Sequence, residues 1–186
     1  MPSIDDPAGE RPPAIERNMA TPEVIAALRE SLRDMIAEER QQVSGAPHTL
    51  AITRGRNSVV LKEIVEAHGW PTGTLVGDRA ALNALMILLH CLDLPFLHAC
   101  CIRIVSAVAA GDCDPIHGAY IEDHCAVQEG RPQRWGTKID PATLLPYLLE
   151  DPEPVVDQRR AGIGLPTVKQ ERTQHQAARG LRACLP

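Results

Sequence analysis

Apolar residues recur at helical spacing along most of the chain. Val24, Ile25, Leu28, Leu32, Met35 and Ile36 predict a first amphipathic helix, with Thr21 able to cap it and Pro22 suited to its first turn. Gly45 and Pro47 mark its end. Asn57 is positioned to cap a second helix carrying Val60, Leu61, Ile64 and Val65, which Gly69 and Pro71 stop. The third helix, capped by Asp78, runs from Ala80 to Leu92 with almost no polar face, the pattern of a helix at the centre of a bundle. Asp93-Leu94-Pro95 breaks it and starts a fourth, from Phe96 to about Ala110, with Ile102, Val105 and Val108 as core positions and Gly111 as its stop. Asp114-Pro115 opens a fifth helix running to Gln128. The same Asp-Pro signal at Asp140-Pro141 predicts a short sixth helix through Leu149. A Pro-rich connector, Asp151 to Val156, and a polar stretch ending at Gly164-Leu165-Pro166 follow. No long β-branched alternation, no Asn-Gly hairpin turn and no repeat period occurs. The pattern describes an all-α protein: a single-domain helical bundle of about five to seven helices over residues 21–166. Residues 1–20, rich in Pro and charge, read as a disordered arm, and residues 167–186 as a tail with helical character.

Composition sharpens this picture in three respects. At 186 residues, 44% hydrophobic and 23% charged, the chain is long and apolar enough for a self-sufficient core, and with only 3% aromatic residues that core must be aliphatic. A net charge of −5 provides no general attraction for nucleic acid, and the longest apolar run, Ala84 to Leu89, is far short of a membrane span. The polar start has no apolar segment of the secretory type. That predicts a cytoplasmic protein whose six cysteines are thiols, most of them small core residues. Sixteen Arg against three Lys, with abundant Ala and Pro, fits a high-GC bacterial genome.

The standard catalytic signatures are missing. There is no phosphate-binding Gly-Lys-Ser/Thr loop, no G-x-S-x-G elbow and no H-E-x-x-H. What stands out is a set of titratable residues within apolar helices. His90 closes the most apolar helix and His98 lies one turn into the next. The fifth helix carries His117, Asp123 and His124, with His117 and His124 on one face. A buried histidine beside a carboxylate suits proton transfer near neutral pH, because burial lowers the imidazole pKa and the carboxylate raises it again. Asp123 and His124 are neighbours in sequence on different faces, so Asp123 is expected to orient a histidine of another helix. The loop 130–138 is the most distinctive: Gly136 permits backbone that a side chain would block, and Gln133, Trp135, Thr137 and Lys138 are placed to line a pocket mouth.

Several of these segments recur in a familiar order: Gly69-Trp70-Pro71 with Val76-Gly77, Leu88-Leu89-His90, Tyr120-Ile121-Glu122-Asp123, Gly130-Arg131-Pro132-Gln133 with Gly136-Thr137, Pro152 to Pro154, and Asp157 to Arg160 with Gly164-Leu165-Pro166. Over about residues 57–166 the chain resembles a bacterial family carried as a domain of unknown function, number 6624. The family lends no activity. The resemblance implies that the positions of His90, Asp123 and the Gln133–Thr137 loop are its polar signature. It also implies departures here. The family pattern has Gln-His at Leu89-His90, Asp-Arg at Asp123-His124, Gly-Thr-Gln at Gly136-Thr137-Lys138, and Gln at His98.

The resulting expectation is a small acid–base enzyme acting on a small molecule by cyclisation, dehydration, isomerisation or hydrolysis, with no cofactor. His90 would be the base or acid, Asp123 its charge partner, and His98 or His124 a second proton donor, while Gln133, Trp135, Thr137 and Lys138 bind substrate. A non-catalytic ligand- or partner-binding module, including a homodimer, is the alternative from another class. A metal or haem protein using His90, His98, His117 and His124 is the third, although no zinc or di-iron spacing is present.

Overall fold

The computed structural model describes residues 20–43 and 46–183, so the arm expected over residues 1–20 lies almost wholly outside them. Among the described residues there are eight helices and no strand: α1 (Pro22–Gln42), α2 (Pro47–His68), α3 (Gly73–Val76), α4 (Asp78–Leu88), α5 (Leu94–Ala109), α6 (Pro115–Gln128), α7 (Glu153–Ala161) and α8 (Val168–Ala183). Helices α1, α2 and α4 pack on one another, α5 and α6 form an antiparallel pair, and α4 joins the two groups through α6. None of these helices is long and apolar enough to cross a membrane.

Local chemistry explains the helix starts. Thr21 Oγ1 accepts from Val24 N, Asp93 Oδ1 from Phe96 N and Asp114 Oδ1 from Ile116 N, each just before a proline in the first turn. The core is aliphatic, with Leu32, Leu61, Ala81, Ala84, Ile87, Leu88, Leu97, Ile104 and Ile121 fully enclosed. Cys91, Cys100, Cys113 and Cys125 are buried and Cys101 half-buried.

The structure differs from the sequence reading in several places. Asp78 does not cap α4 but is its first residue, and the helix ends at Leu88 instead of Leu92. Helix α2 begins at Pro47, so Asn57 is not a cap but a buried side chain in mid-helix. Helix α4 is central, yet Leu82 and Met86 remain exposed on one flank. Helix α5 is apolar nearly all round, which hides its inward face from a periodicity argument. Its core residues are Phe96, Leu97, Cys100 and Ile104, whereas Ile102 is 70% exposed. The sixth helix expected at Asp140–Leu149 does not form. Asp140 Oδ1 accepts from Ala142 N as a cap would, but Leu144 then takes a left-handed φ of 57° and the chain turns back on the preceding loop. Finally, the Pro-rich connector is largely α7, whose first turn accommodates Pro154.

Candidate functional site

The loop 130–138 is built from outside itself. Asp123, on α6 and with no exposed surface, accepts four hydrogen bonds: Oδ1 from Arg134 N (2.9 Å) and Trp135 N (3.0 Å), Oδ2 from Thr137 N (2.8 Å) and Thr137 Oγ1 (2.9 Å). Burial pushes its carboxyl upward in pKa while these donors pull it down. All four partners donate, and only the ionised carboxylate can satisfy them together. Gln133 is equally committed. Its Nε2 donates to the carbonyls of Lys138 (3.0 Å) and Tyr147 (3.3 Å), and its Oε1 accepts from Lys138 N (2.7 Å). Gly136 turns the chain at φ 65°, where an added Cβ would stand 3.0 Å from Leu149 Cδ2. Trp135 Nε1 donates to Glu122 (2.8 Å).

A second clamp comes from α7. The Arg160 guanidinium is fully buried. It donates to the carbonyls of Trp135 (2.7 Å) and Pro166 (2.5 Å) and pairs with Glu171 of α8, which also accepts from Tyr120 Oη at 3.1 Å. Arg159 bonds the Arg134 carbonyl and Asp151. The loop is thus fixed between α6 and α7, and it carries Lys138 to a cleft of about 670 Å³ that His90, Met86, Tyr120 and Leu144 also line.

Asp123 has no lone pair left for a histidine, so the expected Asp123–His90 partnership is not what the structure contains. The carboxylate beside His90 is Glu39 of α1, 3% exposed, whose Oε2 lies 2.8 Å from His90 Nδ1. Asn57 Nδ2 donates to Glu39 Oε1 (3.0 Å) and to the Met35 carbonyl (3.1 Å), and Arg54 Nε is 3.5 Å from Glu39 Oε2. A carboxylate at Nδ1 selects the tautomer with its proton there and leaves Nε2 as an acceptor. Burial and the Arg54 guanidinium push the His90 pKa below its ordinary value, and Glu39 only partly offsets them. His90 also borders a second, more apolar cleft of about 600 Å³ between α2 and the α4–α5 corner, with Arg54 and Lys62 on its wall.

Two more groups face this centre. The Lys138 ammonium is lowered in pKa by burial alone, with no carboxylate opposing the shift. His124 is buried with Nδ1 unpartnered among the described residues, and burial, then Lys138, then His90 hold its pKa down to about 4. The remaining candidates lie elsewhere. His98 Nε2 sits 3.0 Å from Glu129 Oε1 in the α5–α6 seam, and His117 Nδ1 meets the Cys113 sulfur at 3.4 Å. The four histidines therefore do not converge, and among the described residues no three His, Cys, Asp or Glu are grouped to hold a metal ion.

Glu39 and Arg54 are the residues the sequence reading missed. Glu39 continues the inward series Leu28, Leu32, Met35, Ile36 by one helical step, so a charge at a core-spaced position was its only signal.

His124 sets an acid limit on stability. Its folded pKa lies below the unfolded value of 6.5, so the unfolded chain takes up a proton first. Its contribution is complete above about pH 6.5 and is lost as pH falls toward 4. His124→Gln should lose about 2 kcal/mol less than wild type between pH 7 and pH 5. Thermal melts at the two pH values check this, and equal losses would refute it.

The family model described as "Family of unknown function (DUF6624)" matches residues 22–183, so the chain belongs to that family, and the match takes in α1 with Glu39 as well as α7 and α8. No curated protein and no solved structure matches the chain.

Proposed function

Starting from that membership, we propose that the protein is a cofactor-independent acid–base enzyme acting on a small anionic molecule in the cleft between His90 and Lys138. His90 Nε2 removes the proton, and Glu39 is its positioning residue, holding the ring by Nδ1 and stabilising the imidazolium as it forms. Lys138 receives the acidic group of the substrate and the negative charge that develops on it. His124, neutral at working pH and beside both, is the second proton carrier. Thr137 lines the wall, and Gln133 and Trp135 hold the loop behind it, because their polar groups are already spent there. The observation that carries this reading is the pairing of buried Glu39 with half-buried His90 at the edge of a cleft that also presents an uncompensated lysine.

The test is to incubate the pure protein with a small-molecule extract and follow consumption by mass spectrometry, with His90→Ala and the milder His90→Gln as blanks. Both variants should keep the helical spectrum and slow turnover by about 100-fold or more. Equal consumption by wild type and variants, or none by any, would end the proposal.

A second reading, a binding module, draws on the apolar side chains beside the other cleft: Leu92 is 93% exposed and Val59 59%. It predicts a compound retained by the protein and recovered unchanged.

A further inference from the structure

Helices α5 and α6 run antiparallel, and three contacts fix their register. Gly118 lies against Val108, where an added Cβ would be 3.4 Å from Cγ2. Two helical turns back along α5 and two turns forward along α6 bring Cys101 opposite Cys125. About one turn further, His98 meets Glu129. The register sets the Cys101 and Cys125 side chains at the same level of the seam, between the Gly118–Val108 and His98–Glu129 contacts. Both cysteines line a cleft of about 400 Å³ whose wall carries Arg131 and Arg134 alongside Glu122 and Glu150, with Cys101 half-buried and Cys125 buried behind it.

The neighbours are unlike this pair. Burial pushes the Cys100 thiol up to about 12 and Cys113 up to about 11, which keeps both protonated and inert. Cys101 and Cys125 perturb each other, the first lowered and the second raised. Exposure separates their roles: half-buried Cys101 is the sulfur that a small oxidant in the cleft reaches first, and Cys125, buried behind it, is left for the second step.

We propose that Cys101 and Cys125 form a peroxide-oxidisable dithiol that closes to a disulfide between α5 and α6, with Cys101 the attacking and Cys125 the resolving sulfur. The Cys101 thiolate attacks one peroxide oxygen. An S–O bond forms, the O–O bond breaks, and the departing hydroxide takes a proton to become water, leaving a sulfenic acid. Cys125 then attacks that sulfur. The S–S bond forms, the S–O bond breaks, and the Cys125 proton leaves with the hydroxyl as a second water. Two thiols lose two electrons and one peroxide gains them.

The site is separate from the His90 cleft, and its test needs no enzymatic substrate. The fully reduced chain is exposed to equimolar hydrogen peroxide, blocked, weighed intact and mapped by peptides. A loss of two hydrogens, about 2 Da, with the bridge mapped to Cys101 and Cys125 is expected. In Cys125→Ser, Cys101 should stop as a sulfenic acid captured by a carbon nucleophile. In Cys101→Ser, Cys125 should remain a thiol. A bridge between any other pair, oxidation of Cys101 to sulfinic acid without a bridge, or unreacted thiols where the urea-unfolded chain reacts would each overturn the proposal. The wild-type map alone decides it if a variant fails to fold.

Discussion

Asp123→Ala is expected to destabilise the protein by on the order of 3–5 kcal/mol, a large share of the whole stability of a domain this size. The substitution strands three backbone amides and one hydroxyl, of which the two from Thr137 are buried and those of Arg134 and Trp135 part-buried. Each orphaned buried donor costs about 1–3 kcal/mol, less whatever entering water restores. Asp123→Asn keeps the shape but replaces an accepting oxygen with a donating amide, so it should fall between alanine and wild type. Urea unfolding of the three proteins measures the series. A shift below 1 kcal/mol for alanine would mean that the loop holds its form without Asp123.

Arg160→Met should cost about 3–5 kcal/mol, because it leaves Glu171 as a buried charge without its partner. The carbonyls of Trp135 and Pro166 lose their donor at the same time. The double variant Arg160→Met/Glu171→Met tests the cause. Removing both charges eliminates the unpaired carboxylate, so the double variant should be more stable than the single one while remaining below wild type. If the double variant unfolds as readily as the sum of the two single changes, the ion pair is not the source of the loss.

These two residues also show why part of the molecule could be read from its sequence and part could not. Asp93-Leu94-Pro95 and Asp114-Pro115 located helix starts correctly because a cap and a first-turn proline act within four residues of each other. The same signal at Asp140-Pro141 failed because that segment answers to distant groups: Gln133 N donates to the Leu148 carbonyl and Glu150 N to that of Gln133. The site divides in the same way. His90 and His124 were legible as titratable residues within apolar helices and Lys138 as part of the distinctive 130–138 loop, and the structure brings the three near one another. The role of Asp123 was not legible, since a buried aspartate that orders a loop and one that charges a histidine look alike in a sequence. Glu39 was hidden by a separation of 51 residues from His90. A carboxylate on a core face announces that it has a partner without saying which.

The segment from 130 to 151 contains no helix and only isolated bridges, Gln133 with Leu149 and Ile139 with Pro146. It is held by a few backbone bonds of its own and by the side-chain bonds of Asp123, Gln133 and Arg160. Its backbone amides should therefore exchange faster than those of α4 and α6 in a native-state hydrogen-exchange experiment, and equal protection would refute this. The wall of the His90 cleft that this segment forms depends on Asp123 and Arg160, while the other, with Glu39 behind the imidazole, belongs to the bundle.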